Sequence, residues 1–382
     1  MKTVGIICEY NPFHLGHKKQ INTIRSRFGQ DCAIVCLMSG NYVQRGAPSL
    51  FDKSLRAKAA VLAGADLVLE LPVTYALSSA EGFAAGGVRI LSGFCDYLCF
   101  GTESGTADSL TATAEALLSE AFSHALREKL DTGISFPAAR QQGLAQLGCD
   151  TSLLERPNDI LAVEYCKAIQ TQNSSMVPLP ILRGGNYHAD TPDSENPSAT
   201  AVRQLFLGAH DWKSCVPETL WPLYEGAPCH TLAAGERAVL ARLRTMTEAD
   251  FETLPYGSEG LWRKFMHACR GSATLEEILT ATKSKRYTRT RLDRMLMCAF
   301  LGISREMMGS APPYTRVLAF NDVGRLVLKQ ARLSGEFLHT GDRSESPYWS
   351  DEQRWEDLYG LFRLDAPAPA GDAAKRRVYI HK

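Results

Sequence analysis

A chain of 382 residues with 45% hydrophobic and 22% charged side chains has an ordinary globular composition and is too long for one compact core. Lysine plus arginine and aspartate plus glutamate each number 42, which excludes a global basic field; any polyanion must be met by a local patch. No stretch approaches the ~20 apolar residues of a membrane span, and no basic, then apolar leader opens the chain, so a cytosolic, reduced location without membrane association is expected. The 11 cysteines include no CxxC pair. Cys32, Cys36, Cys95 and Cys99 sit in apolar stretches and are expected as buried free thiols, and no protein-built metal site is expected.

In chain order, the first element is the most informative. An apolar run at residues 4–8 stops at Asn11-Pro12, and His14-Leu15-Gly16-His17 follows where a helix begins. A strand, a tight turn and a helix N-terminus carrying two imidazoles suit a nucleotide. Backbone N–H groups and the helix dipole face phosphates. Gly16 is expected to let the ligand approach the backbone. The HxGH pattern resembles the HIGH-type signature of nucleotidyltransferases and class I aminoacyl-tRNA synthetases, which attack the α-phosphate of a nucleoside triphosphate and expel pyrophosphate. That resemblance implies catalytic roles for His14 and His17, which would hold the α- and β-phosphates, with Lys18 or Lys19 close by.

Strands are predicted at 4–8, 33–38, 67–70 and 97–100, alternating with helices at 17–28, 52–63, 80–91 and 107–118. This alternation predicts an α/β fold, a Rossmann-like doubly wound parallel sheet with its ligand at the carboxyl ends of the strands. The loops there, 39–46, 70–72 and 100–104, are polar or contain glycine. Residues 131–155 read as helical without chemistry. A helix at 160–169 is opened by Arg156-Pro157-Asn158-Asp159, with Asn158 or Asp159 as its cap. A strand at 177–182 runs into a polar loop, of which 189–197 reads as a lid or surface segment. Ser198, Thr200 and Arg203 then form an SxTxxR pattern at a helix start, a phosphate-binding candidate.

From about 212 to 310 strand signals vanish and helices are predicted at 235–245, 261–270 and 275–282. Within this region Lys283, Lys285, Arg286, Arg289 and Arg291, with Arg294, face one acid, Asp293, around a central Tyr287. Such a segment suits RNA phosphates and base stacking, and six phosphate contacts predict a log K against log salt slope of roughly −4. A strand at 316–320 and a helix from 324 suggest a small further unit, and 366–370 reads as a flexible linker. The expected domains are 1–210, a nucleotidyltransferase-like catalytic domain; 211–310, an α-helical tRNA-binding domain; and 311–382, a small C-terminal α/β unit and tail.

The ordered motifs GIICEYNPFHLGH, SGNYVQRG, ADLVLELP, FGTES, RPNDILAVEY, SATAVR and KSKRYTRTR resemble the bacterial tRNA(Met) cytidine acetate ligase family over most of the chain. The resemblance implies ATP as co-substrate, with Mg²⁺ alongside it. It also implies acetate and elongator tRNA(Met) as partners, acetyl-adenylate as intermediate, and N4-acetylcytidine at the wobble position as product. ATP contacts carry over to Ile7, Cys8, Glu9, Tyr10, Asn11, Pro12, Phe13, His14, Leu15, Gly16, His17, Lys18, Lys19 and Gln20, and to Gly101, Asn158 and Arg183. The base that takes the amine proton stays open among Glu9, Glu70 and Glu103, and the sequence names no protein partner. Two alternatives remain: an adenylyltransferase acting on a phosphorylated small molecule, and a non-catalytic RNA-binding protein.

Overall fold

The computed structural model describes residues 1–182, 197–331, 338–339, 347–371 and 377–382. Its first half is built from β1 (Thr3–Cys8), α1 (Leu15–Phe28), β2 (Ala33–Ser39), α2 (Lys53–Leu62), β3 (Leu67–Leu71), α3 (Ala80–Leu91), β4 (Tyr97–Thr102), α4 (Ala107–Leu118), α5 (Pro157–Thr171) and β5 (Val177–Leu182). These strands pair in parallel in the order β3-β2-β1-β4-β5, the doubly wound arrangement predicted, and the order reverses between β1 and β4. A sheet covered on both faces needs apolar side chains on both sides of its central strands. Every residue of β2 and β3 is buried. Ala33, Val35 and Leu37 enter the core on one face, and Ile34, Cys36 and Met38 enter the core on the other. All 11 cysteines are free thiols, and burial pushes the Cys99 thiol up to about 12, which leaves it unreactive.

After α6 (Ala199–Leu207) come the principal helices of the next region, α7 (Glu236–Thr245), α8 (Leu261–Gly271), α9 (Leu275–Thr282) and α10 (Arg289–Leu301). Helix α8 buries Leu261, Trp262, Phe265, Met266 and Cys269, a stripe at helical spacing. Helix α10 buries nine residues, among them Arg294, and forms the middle of this core.

The C-terminal segment differs from the small separate unit expected at 311–382. Strand β6 (Thr315–Phe320) joins the first sheet, antiparallel to β3, and β7 (Tyr379–Ile380) pairs with β6 at the edge. The stretch read as a flexible linker therefore leads back to the sheet. Between them lie α11 (Asp322–Gln330) and α12 (Pro347–Tyr359). Helix α12 gives Trp355 and Tyr359 to the helical core, where they meet Tyr42 from the first half. Tyr42 donates to the Trp355 carbonyl at 2.8 Å, and Tyr359 donates to that of Ser49 at 2.9 Å.

Charged groups in this seam are buried and paired. Lys53 Nζ lies 2.7 and 2.8 Å from the two oxygens of Glu70 and also bonds Glu356. Arg316 bonds Glu356 at 2.6 Å and stands 4.0 Å from Glu70. Glu352, which accepts from the Tyr314 hydroxyl at 2.6 Å, is pushed up to about 7, chiefly by burial and then by the Glu70 charge. Its folded value exceeds the unfolded value near ~4.3, so its stabilising share is whole below about pH 4 and is lost as pH rises through about 7. From pH 6 to pH 8 the loss should amount to roughly 1.3 kcal/mol, most of it below pH 7. Thermal melts from pH 6 to 8 should fall more steeply for the wild type than for Glu352→Gln, which keeps an acceptor for Tyr314 without the charge. Parallel melting curves would remove Glu352 as the titrating group.

Candidate active site

The cleft at the sheet reversal has a volume of about 270 Å³ and is bounded by the end of β1, the start of α1, β4, and the N-termini of α3, α5 and α6. A reversal between two parallel strands leaves a crevice at their carboxyl ends, because the following loops run to opposite faces. Its inner wall is apolar, from Ile6, Ile7, Phe83, Phe100, Leu161 and Tyr165. Its polar groups come from Glu9, Asn11, His17, Gln20, Asn158 and Arg203. One face for a flat base or acyl group and one for phosphates is the arrangement a nucleotide needs.

The HxGH segment is a helix cap as well as a site. His14 is the N-cap of α1 in extended backbone, and its Nδ1 accepts the Gly16 N–H at 3.1 Å. His17 Nδ1 accepts the His14 N–H at 3.3 Å, closing a reciprocal capping box built from two imidazoles. With Nδ1 accepting, each ring carries its donor hydrogen on Nε2. The rings stack with centroids 3.7 Å apart; His14 is buried beneath and His17 lines the cleft. Gly16 serves differently from the expectation: a Cβ there would sit 3.0 Å from His14 Cε1 and 3.2 Å from Nδ1, so glycine clears the imidazole.

Of the predicted run, Ile7, Cys8, Glu9, Tyr10, Asn11, His17 and Gln20 line the cleft. Pro12, Phe13, His14, Leu15, Gly16, Lys18 and Lys19 lie behind or beside it. Phe13 is buried in the core. Lys18 turns away to donate to the Ala63 carbonyl at 2.8 Å, and Lys19 is exposed. Gly101 and Asn158 line the cleft as expected, whereas Arg183 lies outside the described residues. Ser198 caps α6 by accepting the Ala201 N–H at 3.1 Å. Arg203 spans from Thr200 Oγ1 (3.0 Å) to the Asn11 carbonyl (2.8 Å), so the SxTxxR element braces the HxGH turn and brings its guanidinium to the cleft.

The loop after β4 is fixed by a neighbour of Asn158. Arg156, not Asn158 or Asp159, is the N-cap of α5, and Asp159 is fully buried in its first turn. Asp159 accepts from Thr102 Oγ1, from the Glu103 N–H at 2.7 Å and from Ser104 Oγ at 2.7 Å. Burial alone would raise its pKa; the bonds from Thr102 and Ser104 and the loop N–H groups outweigh burial and hold it below the usual carboxylate range. Glu103 is paired with Asn158, and Glu70 is held in the buried network with Lys53. Glu9 alone of the three candidate bases lines the cleft.

A family profile described as HIGH Nucleotidyl Transferase matches residues 1–360. The chain is 37% identical over 351 residues to the tRNA(Met) cytidine acetate ligase of Clostridium novyi (strain NT), covering 87% of this chain and 88% of that one. The chain belongs to the tRNA(Met) cytidine acetate ligase family, a family of ligases. The Acetivibrio thermocellus protein of that name is 35% identical, covering 87% and 86%. The apo crystal structure (form I) of Thermotoga maritima TmcAL aligns with a TM-score of 0.90 and 28% identity, covering 100% of this chain and 99% of that one. The same protein bound with alpha-thio ATP aligns at 0.87 and 27%, covering both chains completely. The nucleotidyltransferase-like α/β fold expected from the sequence is therefore the family's own.

The basic segment is less available than its sequence suggests. Arg289 is bidentate to Glu276 at 2.7 and 2.8 Å and bonds Asp293 at 2.9 Å. Arg291 donates to the Tyr256 carbonyl at 2.8 Å and to Ser258 Oγ at 3.0 Å. Arg286 pairs with Glu259 at 3.0 Å, and Arg294 is buried over the Tyr256 ring. Among the described residues, Lys283 and Lys285 are exposed and in no ion pair.

Sequence reasoning placed the loop 39–46 at the ligand end of the sheet without singling out Gln44 or Arg45, which line the cleft, and it missed most of the apolar wall. Leu161 and Tyr165, four apart on α5, read as ordinary core. Because Asp159 fastens the loop that follows Gly101 and carries Glu103, Asp159→Asn should lower stability by about 2–3 kcal/mol and weaken ATP binding. The carboxylate's share is present above its unfolded value of ~3.9 and lost as pH falls through its lower folded value. Urea melts should therefore separate wild type and variant at pH 7 and converge near the acid end; an unchanged gap would contradict the role of the charge.

Proposed function

We propose that this enzyme activates acetate with ATP as acetyl-adenylate and then acetylates the wobble cytidine of elongator tRNA(Met) to N4-acetylcytidine. The observation that carries this reading is the double-imidazole cap at a helix N-terminus facing the cleft, in a chain of the family just named. A carboxylate is a poor electrophile, and a cytosine amine is a poor nucleophile because its lone pair is delocalised into the ring. A mixed anhydride with AMP supplies the missing driving force.

In the first step an acetate oxygen attacks the α-phosphorus and the bond to the β-phosphate oxygen breaks, releasing pyrophosphate. His17 Nε2, the α1 N-terminus and Arg203 lie where charge grows on the phosphates, with His14 orienting His17 from behind. In the second step the amine nitrogen attacks the acetyl carbonyl, the bond to the AMP oxygen breaks, and the amine proton passes to Glu9. Gly101, Asn158 and Arg183 are assigned to ATP. Among the described residues no group of three or more His, Cys, Asp or Glu could hold a metal ion. No step is assigned to a protein-bound metal; Mg²⁺, where present, belongs to the triphosphate as its counterion. No helix among the described residues is long and apolar enough to cross a membrane, which suits a cytoplasmic tRNA-modifying role.

His17→Ala should cut acetate-dependent ATP–pyrophosphate exchange by about 10²–10³ while leaving tRNA affinity unchanged. Full exchange in the variant would move the phosphate site elsewhere, and absence of exchange in the wild type would favour a non-catalytic RNA binder. Lys283 and Lys285 are the cations of the basic segment left for RNA. Replacing both with alanine should flatten the log K against log salt slope for tRNA by roughly 1.5. Loss of adenylate formation in that variant would place the segment in folding rather than RNA binding.

A further inference from the structure

The cleft has a second lip that the phosphate chemistry does not use. After β2 the chain makes a short hairpin, Tyr42–Val43 paired with Ala47–Pro48, whose tip is Gln44-Arg45-Gly46. The tip is tied to the cleft floor: the Gln44 N–H donates to Glu9 Oε1 at 2.7 Å. It is also pressed onto the helical region. Gly46 has φ +79°, and a Cβ there would lie 2.4 Å from the Arg294 backbone nitrogen and the Asp293 carbonyl carbon. Asp293 and Arg294 lie one turn into α10, Asp293 about 6 Å along the helix from Arg289, its first residue. Tyr256, which holds Arg291 through its carbonyl, donates its own hydroxyl to the Leu77 carbonyl at 2.6 Å just before α3. The hairpin tip therefore touches both the cleft and the helix that follows the basic residues Lys283 and Lys285 in the chain.

Arg45 is the cation on this tip. It is exposed, it borders the cleft, and it forms no hydrogen bond or ion pair among the described residues. Arginines that serve the fold here are buried or paired, as Arg56, Arg289, Arg291 and Arg316 are. The hairpin follows β2, on the opposite side of β1 from β4, which carries Gly101. Neighbouring strands are spaced about 4.8 Å apart, so this lip is displaced from the wall that Gly101 and Asn158 provide. The lip thus offers a cation at the cleft's edge on the side next to the helical region.

We infer that Arg45 grips a backbone phosphate of the acceptor RNA next to the base undergoing acetylation, and so acts in acetyl transfer and not in adenylate formation. A planar guanidinium matches a phosphate bidentately, and its mount on a hairpin fixed at both Glu9 and α10 keeps the grip in register with the cleft. The inference rests on the proposed tRNA acetylation.

Arg45→Ala and Arg45→Lys would each be measured in two assays with full-length protein: acetate-dependent ATP–pyrophosphate exchange, and transfer of labelled acetate to elongator tRNA(Met). For Arg45→Ala, exchange should stay within about threefold of wild type, which also certifies folding, while kcat/KM for tRNA falls about 30-fold or more. A 30-fold loss is about 2 kcal/mol, within the range of one charge-assisted hydrogen bond. Arg45→Lys should recover most of the tRNA affinity but less of the rate, since a point charge replaces the fork. Equal losses in both assays would assign Arg45 to the triphosphate and overturn the inference, as would unchanged transfer. If wild-type protein shows exchange but labels no tRNA, the acceptor reading itself fails and the inference falls with it.

Discussion

A single buried guanidinium holds the floor of the cleft. Arg56, on α2, is fully buried and donates to the main-chain carbonyls of Phe51 at 2.9 Å, Ser39 at 3.1 Å, Glu9 and Gly40. Burial pushes its pKa down, yet the planar fork reaches four acceptors that would otherwise face an apolar core. Those carbonyls belong to the end of β1, the end of β2 and the approach to α2. The geometry of Glu9, the HxGH turn and the hairpin tip therefore follows from one side chain that never touches the cleft. Lysine could not replace it, because one ammonium cannot reach carbonyls arriving from three directions.

The same economy of position appears at the HxGH turn. Two imidazoles close a capping box whose usual members are a small hydroxyl or carboxylate and a glutamate. The cap uses Nδ1 of each ring, which leaves Nε2 of His17, the ring that lines the cleft, outside the cap. In His17 the nitrogen that serves the fold is thus not the one proposed for the chemistry. Arg203 bonds the Asn11 carbonyl at 2.8 Å, so α6 is anchored to the HxGH turn.

What could be read from the sequence was local. The strand–turn–helix at residues 4–17, the alternating strands and the FGTES loop depend on neighbours within a few residues, and their pattern survives in one dimension. The basic segment depends on Glu259 and Glu276, which lie on other stretches of the chain, so linear charge counting overstated its freedom. Asp159, beside the expected Asn158, was visible only as a cap candidate, because its partners at 102–104 precede it by more than 50 residues. The C-terminal strand looked like the start of a new unit. Its place beside β3 is set by antiparallel pairing and by the buried Glu70–Arg316 seam, and no periodicity encodes either.

That seam has a consequence for how the two ends of the reaction are held together. Glu70 belongs to β3, Lys53 to α2, Arg316 to β6 and Glu356 to α12. Removing one member would leave an opposite charge buried without its partner, which costs far more than the pair contributes when intact. The network therefore specifies how the C-terminal return docks more than it stabilises the molecule. Helix α12 in turn packs Trp355 against α10, through the bond from its indole N–H to the Leu301 carbonyl at 3.0 Å. Helix α10 packs against Gly46 of the hairpin tip at Asp293 and Arg294. A chain of packed contacts thus runs from the sheet, through the C-terminal return, to the lip where an acceptor would meet the activated acetyl group. For two half-reactions that must share one anhydride without releasing it to water, a lip held rigidly to both the sheet and the helical region is the physical requirement.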